Sequence, residues 1–294
     1  MELNVNFDQS ERITYNQTGF PVFVHREFLS TYPNYAAISH WHDDLEFIYI
    51  ISGQMHYRIN GKQILLRAGE GLFVNTRQFH YGFSPDHQEC DFICILFHPL
   101  LLCSSASVEQ QFVLPVLQNE CFPYLVLRGM NEQEQKILLT LQEIWDCALA
   151  NPFAGTFALK TQALLFQLWE NLFSLSGHTE KNQAPGNQHL TILKDMIRFI
   201  SSHYTEKISL AEISRAGTIS KTTCSHIFVQ YTNQTPFSYL TEYRLKKSAE
   251  LLRTTDRTIS EICFEVGFSG ASYFAETFKK SYRCTPGEYR RQKA

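Results

Sequence analysis

Two stretches within the last hundred residues say nearly the same thing. Ser209-Leu210-Ala211-Glu212-Ile213 is echoed by Thr258-Ile259-Ser260-Glu261-Ile262, and Phe228, Thr235-Pro236 and Tyr239 return as Phe278, Thr285-Pro286 and Tyr289. An internal repeat of this length means one structural unit built twice. Each copy opens with a hydroxyl residue three positions before a glutamate, the capping box that satisfies orphan amides where a helix starts. A glycine follows in each, Gly217 and Gly267, and then a second segment with apolar residues at helical spacing. Helix, tight turn, helix is the helix-turn-helix pattern.

The second helix of each copy predicts an inward stripe, Cys224, Ile227, Phe228 and Tyr231 in one and Phe274, Phe278 and Tyr282 in the other. Thr222, Ser225, His226 and Val229 then face outward, as do Ser272, Tyr273, Ala275, Glu276 and Lys279. Thr235-Pro236 starts a further helix between the copies, with proline at the position where no amide hydrogen is needed. Such a helix is a rigid spacer, and a spacer matters because two recognition helices on one face of a duplex meet successive major grooves roughly 34 Å apart. From residue 190 onward there are 16 Lys+Arg against 10 Asp+Glu, a balance of +6, while residues 1–189 carry 10 against 19, a balance of −9. Local positive charge supplies the sequence-independent part of DNA affinity by releasing condensed counterions.

The segment Ile192 to Arg291 resembles the AraC/XylS family of bacterial transcription regulators. The resemblance is carried by Ile259-Ser260-Glu261-Ile262, Val266-Gly267-Phe268-Ser269, Tyr273-Phe274, Phe278-Lys279-Lys280 and Thr285-Pro286-Gly287-Glu288-Tyr289-Arg290. It implies an all-α domain over 190–294, of seven helices, with helix-turn-helix units at about 208–231 and 258–282 that bind double-stranded promoter DNA. Matched by position, Thr222, Ser225 and His226 in the first unit and Ser272, Tyr273 and Glu276 in the second are base-facing; Lys221, Lys279 and Lys280 complete the expected DNA-binding set, the last two with charge where the backbone of a duplex would pass. Two departures stand out. Gly217 lies one residue before the family's usual first-turn glycine, where Thr218 falls, so a differently shaped turn is expected. Glu276 stands where the family often has Arg; it either accepts from cytosine N4 or is structural.

The first half is a different object. Residues 176–189 are polar, with Gly and Pro and almost no apolar side chain, and read as a linker. Upstream, 131–150 and 154–175 predict two amphipathic helices whose broad apolar stripes need burial, in their own domain or on a second subunit. The resemblance favours a homodimer formed through this half, 1–175. Between about Pro21 and Pro99 the pattern is strand-like: Phe47–Ile51, His56–Ile59, a hairpin at Asn60-Gly61, Ile64–Leu66, Gly71–Val74 and Asp91–Phe97. The expected architecture is α+β with two domains, a small antiparallel barrel followed by two helices and then the all-α domain.

Within the strands, His40-Trp41-His42 precedes Glu46 and Gly53, and Gly69, Asn75 and His80 follow. This resembles the cupin fold, whose motifs are H-x-H-x3-E-x6-G and G-x5-P-x-G-x2-H; Asn75 and Arg77 replace the Pro and Gly of the second. The resemblance makes His40, His42, Glu46 and His80 candidate ligands for a divalent metal. The other reading has the same side chains contact an organic effector or hydrogen-bond one another. Either way they mark a pocket, assigned here to His40, His42, Glu46, Tyr49, Tyr57 and His80, with nearby aromatic faces suited to a sugar or related metabolite.

Other chemistry is absent from the pattern. The eight cysteines include no C-x-x-C pair and read as reduced, mostly buried thiols. Signal peptide, membrane helix, phosphate loop and nucleophile elbow are not found. The expectation is a cytoplasmic, non-enzymatic activator with no required cofactor, responding to a small-molecule effector and contacting RNA polymerase. The alternative is a metal-dependent cupin enzyme tethered to a DNA-binding domain.

Overall fold

The computed structural model describes residues 5–6, 9–150, 156–177, 186–232 and 234–291. The chain divides into two units, Met1–Asn187 and Gln188–Ala294. Of the expected linker, Ser176 closes one helix, Gly186 opens the next, and 178–185 lie outside the described residues.

The first unit is an antiparallel sheet of seven strands: β1 (Val22–Phe28), β2 (Leu45–Ile59), β3 (Lys62–Arg67), β4 (Gly71–Val74), β5 (His80–Phe83), β6 (Cys90–Phe97) and β7 (Tyr124–Leu127). Hydrogen bonding runs β1-β6-β2-β4-β7, with β3 and β5 also on β2. No pairing joins β1 to β7 among the described residues, so the expected barrel is an open, bent sheet, compatible with a cupin-like jelly roll.

The bend lies in β2. Phe47–Ile51 and His56–Ile59, expected as separate strands, belong to one strand of 15 residues. Its first half pairs with β4 and β6, its second with β3 and β5. A bulge interrupts the β6 register between Ile50 and Ser52, and Gly53 sits at φ +79 with Glu89 O only 2.4 Å from where a Cβ would stand. One extra residue shifts the alternation of a strand, so Glu46 and Ile48 share a cavity with Met55 and Tyr57 despite their odd separation. At the far end Asn60 and Gly61 have φ 48° and 81°, the paired positive values of a two-residue hairpin turn.

Two helices cover one face of the sheet: α1 (Glu132–Ala150) and α2 (Phe157–Ser176). Ile137, Leu141 and Ile144 of α1 and Leu165, Leu168 and Leu172 of α2 form a continuous core with Phe47, Phe73, Ile95 and Phe97. Leu149, which the sequence places on the apolar stripe of the first of these helices with Ile137, Leu138, Leu141, Ile144 and Trp145, is exposed. A second core on the opposite face gathers Ile48, Ile50, Met55, Tyr57, Leu72 and Phe92.

The second unit holds seven helices among its described residues: α3 (Gly186–His203), α4 (Leu210–Ala216), α5 (Lys221–Thr232), α6 (Pro236–Thr254), α7 (Ile259–Glu265), α8 (Ala271–Tyr282) and α9 (Pro286–Arg291). Both capping boxes form. Ser209 N–H donates to Glu212 Oε2 at 2.8 Å and Thr258 N–H to Glu261 Oε2 at 2.7 Å, and each cap hydroxyl receives the glutamate's own amide.

The two turns are alike in backbone, contrary to expectation. Thr218 takes φ +55 and Gly267 φ +88 at equivalent places in the repeat, so a β-branched residue holds the left-handed conformation that glycine adopts freely. Gly217 serves packing instead: a Cβ there would stand 2.9 Å from Ile192 Cγ2 and 3.0 Å from Met196 Cγ of α3. The eight cysteines are free, but only Cys90, Cys224 and Cys263 are buried and Cys121, in the turn before β7, is exposed; the expectation of mostly buried thiols overstated the case. No helix among the described residues is long and apolar enough to cross a membrane.

Candidate functional site

Backbone pairing assembles the histidines. His40 and His80 form an antiparallel bridge, His40 N–H donating to His80 O at 3.2 Å and His80 N–H to His40 O at 2.9 Å. Asn75 and Arg77, where the cupin motif has Pro and Gly, support the turn between β4 and β5 in their own way. Asn75 Nδ2 donates to Val116 O at 2.8 Å and Phe122 O at 3.1 Å, and Arg77 adopts φ +63 while its amide donates to His42 O.

His40, His42, Glu46 and His80 are all buried, and one ligand atom from each lies within 4.8 Å of the others. The three rings share an orientation device. Each directs Nδ1 at a backbone carbonyl two residues away: His40 to Ile38 O at 2.8 Å, His42 to Asp44 O at 3.0 Å, His80 to Gln78 O at 2.9 Å. With Nδ1 donating, the three Nε2 atoms are the groups left to face Glu46, an arrangement that also fixes the tautomer of metal-binding histidines.

Glu46 is the centre of the cluster. Its Oε2 lies 3.0 Å from His42 Nε2 and 2.8 Å from His80 Nε2, and Oε1 accepts the Tyr57 hydroxyl. Burial alone would raise the Glu46 pKa, but the charge and close approach of His80 and the hydrogen bond and charge of His42 hold it well below the usual carboxylate range. Burial likewise disfavours the charged form of His42, yet Glu46 raises its pKa. His40 is pushed down to about 3, first by burial and then by the charges of His80 and His42. His80 Nε2, although close to Glu46, makes no aligned hydrogen bond and is fully buried.

A cavity of about 60 Å³ opens beside this cluster. His40, Glu46 and Tyr57 line it, joined by Glu11, Glu27, Tyr32 and the rings of Phe23 and Phe92. No lysine or arginine is on the wall among the described residues. His42 and His80 stand behind that wall. Tyr49, assigned to the pocket by sequence, is not there: strand alternation points it to the opposite face, against the helix-covered core.

Sequence reasoning missed Glu11. It belongs to a segment that pairs with His40-Trp41-His42 through the Ser10–Trp41 bridge and a 2.7 Å bond from Glu11 N–H to Trp41 O. Its carboxyl, 3.4 Å from His40 Nε2, is raised to about 7 by burial, with the charges of Glu46 and Asp44 adding and that of His42 opposing. Both partners of that contact are therefore neutral near pH 6. A lone glutamate in a polar N-terminal stretch carries no signal of this placement.

In the second unit, Lys221, Thr222 and His226 of α5 and Ser272, Tyr273, Glu276, Lys279 and Lys280 of α8 lie on the outer faces of their helices, Tyr273 60% exposed, while Ser225 is buried more deeply. The inward stripes are buried apart from Tyr282, which is half-buried against Phe278 and Tyr289. The 19-residue α6, about 28 Å long at 1.5 Å per residue, connects the two units of the repeat.

Comparison with known proteins agrees with this organisation. An AraC-like ligand binding domain matches residues 27–193, more than half of the chain, and a helix-turn-helix domain matches 213–292. The uncharacterized HTH-type transcriptional regulator YdeC of Bacillus subtilis is 29% identical over 252 residues, 86% of this chain and 85% of that protein. The HTH-type transcriptional activator RhaS of Mannheimia succiniciproducens is 24% identical over 85% of this chain and 88% of its own length. Among solved structures, ToxT of Vibrio cholerae is 12% identical, covering 92% of this chain and 98% of that one, with a TM-score of 0.41. The chain belongs to the AraC family of transcriptional regulators, with an AraC-like ligand-binding domain followed by a helix-turn-helix DNA-binding domain.

Proposed function

We propose that this regulator is a cytoplasmic, homodimeric activator whose α5 and α8 read promoter bases and whose cavity binds a neutral small molecule. The observation that carries the reading is the pair of capped helix-turn-helix units with polar outer faces, joined to a sheet that encloses a lined cavity. Lys221, Lys279 and Lys280 contact phosphates; Thr222, Ser225, His226, Ser272, Tyr273 and Glu276 face base edges. Activation is supported by the activators among the relatives, and RNA polymerase is the corresponding partner. Leu139 and Leu149 of α1 and Leu159 of α2 are exposed, which supports these helices as the dimer contact.

The wall chemistry supports a sugar-like polyol. The carboxyl oxygens of Glu11, Glu27 and Glu46 accept hydroxyl hydrogens and the aromatic rings cover apolar sugar faces, whereas a free anion would be buried against the charge of Glu46. The test is fluorescence anisotropy of the full chain on its selected promoter DNA, with neutral sugars and sugar acids added in turn. A neutral sugar should shift the affinity, because an effector acts only through its differential affinity for two arrangements. A response confined to anions would refute the pocket reading.

A second reading of the cluster is favoured by His80 Nε2, a buried nitrogen with no aligned partner. His40, His42, His80 and Glu46 would hold a divalent first-row metal through three Nε2 atoms and one carboxylate. Bound there, the ion would supply a Lewis acid beside the cavity. In this reading the chain remains a sensor; a cupin enzyme would instead turn over a substrate, and product formation by the metal-loaded protein would identify it.

A further inference from the structure

Glu11 is an acidic group beside this cluster that is not one of the four motif ligands. Its Oε2 stands 3.4 Å from His40 Nε2, beside pairs at 3.0 Å (His42 to Glu46) and 2.8 Å (His80 to Glu46). Donors that share a metal at about 2.0–2.2 Å stand roughly 3.0–3.4 Å apart. At 3.4 Å the Glu11 contact is longer than those two pairs and stands at the upper end of that range, with Glu11 just outside the four-residue group. Resting on the metal reading above, we propose that Glu11 is a fifth protein ligand, closing the cavity-facing side of a site otherwise built from three histidines and Glu46.

Position and charge support this. His40, Glu46 and Glu11 reach the cavity wall while His42 and His80 do not, so Glu11 stands on the side where a four-ligand site would be open. Its backbone is held beside the ligands by the bond to Trp41 O. A dication bound by neutral imidazoles and Glu46 alone would leave one net positive charge in a buried site, and burying uncompensated charge is costly. A second carboxylate makes the site neutral. Three imidazoles and two carboxylates suit cobalt, nickel, iron or manganese.

The experiment uses the full chain, stripped with chelator and titrated with Co(II), followed by calorimetry and by the visible absorption of the bound ion. Wild type should take up one equivalent, His80→Ala none. Glu11→Gln should bind about 10- to 100-fold more weakly, the range seen when a supporting group of a metal site is lost, with an altered cobalt spectrum; Glu11→Asp should recover part of the affinity. Glu11→Gln with wild-type affinity and spectrum overturns the role of Glu11 and leaves the four-residue site standing. Wild type that takes up no cobalt overturns the metal reading and this inference together. If Glu11→Gln did not fold, Glu11→Asp would decide, since a shortened ligand must change the spectrum and a bystander must not.

Discussion

Glu11 makes the metal-free protein pay a pH-dependent penalty. Its pKa lies at about 7 in the folded chain against 4.5 for the free side chain. At 1.36 kcal/mol per pKa unit the difference amounts to about 3 kcal/mol. Because the folded value is the higher, the folded state holds a proton that the unfolded state has already released. Stability from this group is intact below about pH 4.5, is lost as pH rises toward 7, and is fully lost by about pH 8. Glutamine at this position has no proton to lose. Glu11→Gln should therefore match wild type at about pH 4.5 and exceed it by about 3 kcal/mol at about pH 8, about 1–2 M in urea midpoint. The groups facing Glu11, namely His40, His42, Asp44 and Glu46, are common to both proteins, so the difference between them isolates the carboxyl. Urea unfolding in chelator reports on the correct unit, because all three tryptophans, Trp41, Trp145 and Trp169, lie in the first. An equal difference at both pH values, or a loss at the higher one, would refute the reasoning. With Co(II) bound, the preference should reverse in favour of wild type.

Gly267→Ala should destabilise the second helix-turn-helix by about 2 kcal/mol or more: the left-handed backbone costs an L-residue about 1–2 kcal/mol, and a Cβ would stand 2.5 Å from Tyr204 O. Thr218→Gly relieves the same backbone cost and should be neutral or mildly stabilising; amide exchange across 210–218 and 259–268 reads both changes, and equal losses at the two sites would contradict the assignment. His226→Ala should relax sequence preference by about 1–3 kcal/mol at one base position in a selection from randomised DNA, whereas uniform weakening on all sequences would make His226 a phosphate contact. Leu139→Lys combined with Leu159→Lys should convert the proposed dimer to monomer in analytical ultracentrifugation, and an unchanged dimer mass would move the interface off α1 and α2.

Much of the helical unit was legible because its signals are local. A capping box needs residues three apart, an amphipathic stripe needs one helix, and Ser209, Glu212, Thr258 and Glu261 therefore announced their helices before any tertiary contact was known. The shape of the first turn was not legible. Thr218 has no intrinsic preference for φ +55; the close approach of α3 to Gly217 and the packing of both helices impose it. Tyr49, three residues from Glu46 on one regular stretch of β2, falls on the opposite face by alternation alone; the bulge after Ile50 shifts the alternation farther along and is what brings Tyr57 back to the Glu46 side.

The sequence by itself determined the repeat, the helix starts, the Asn60-Gly61 hairpin and the spacing of His40, His42, Glu46 and His80, because each depends on covalent neighbours or on one short element. Only the tertiary structure decided that β2 is a single bent strand, that Tyr57 rather than Tyr49 meets Glu46, and that Glu11 lies against His40. Those outcomes depend on burial, and burial is a property of which surfaces meet. A carboxyl whose proton affinity is raised by desolvation and by neighbouring charges acquires its chemistry only when the chain has folded around it.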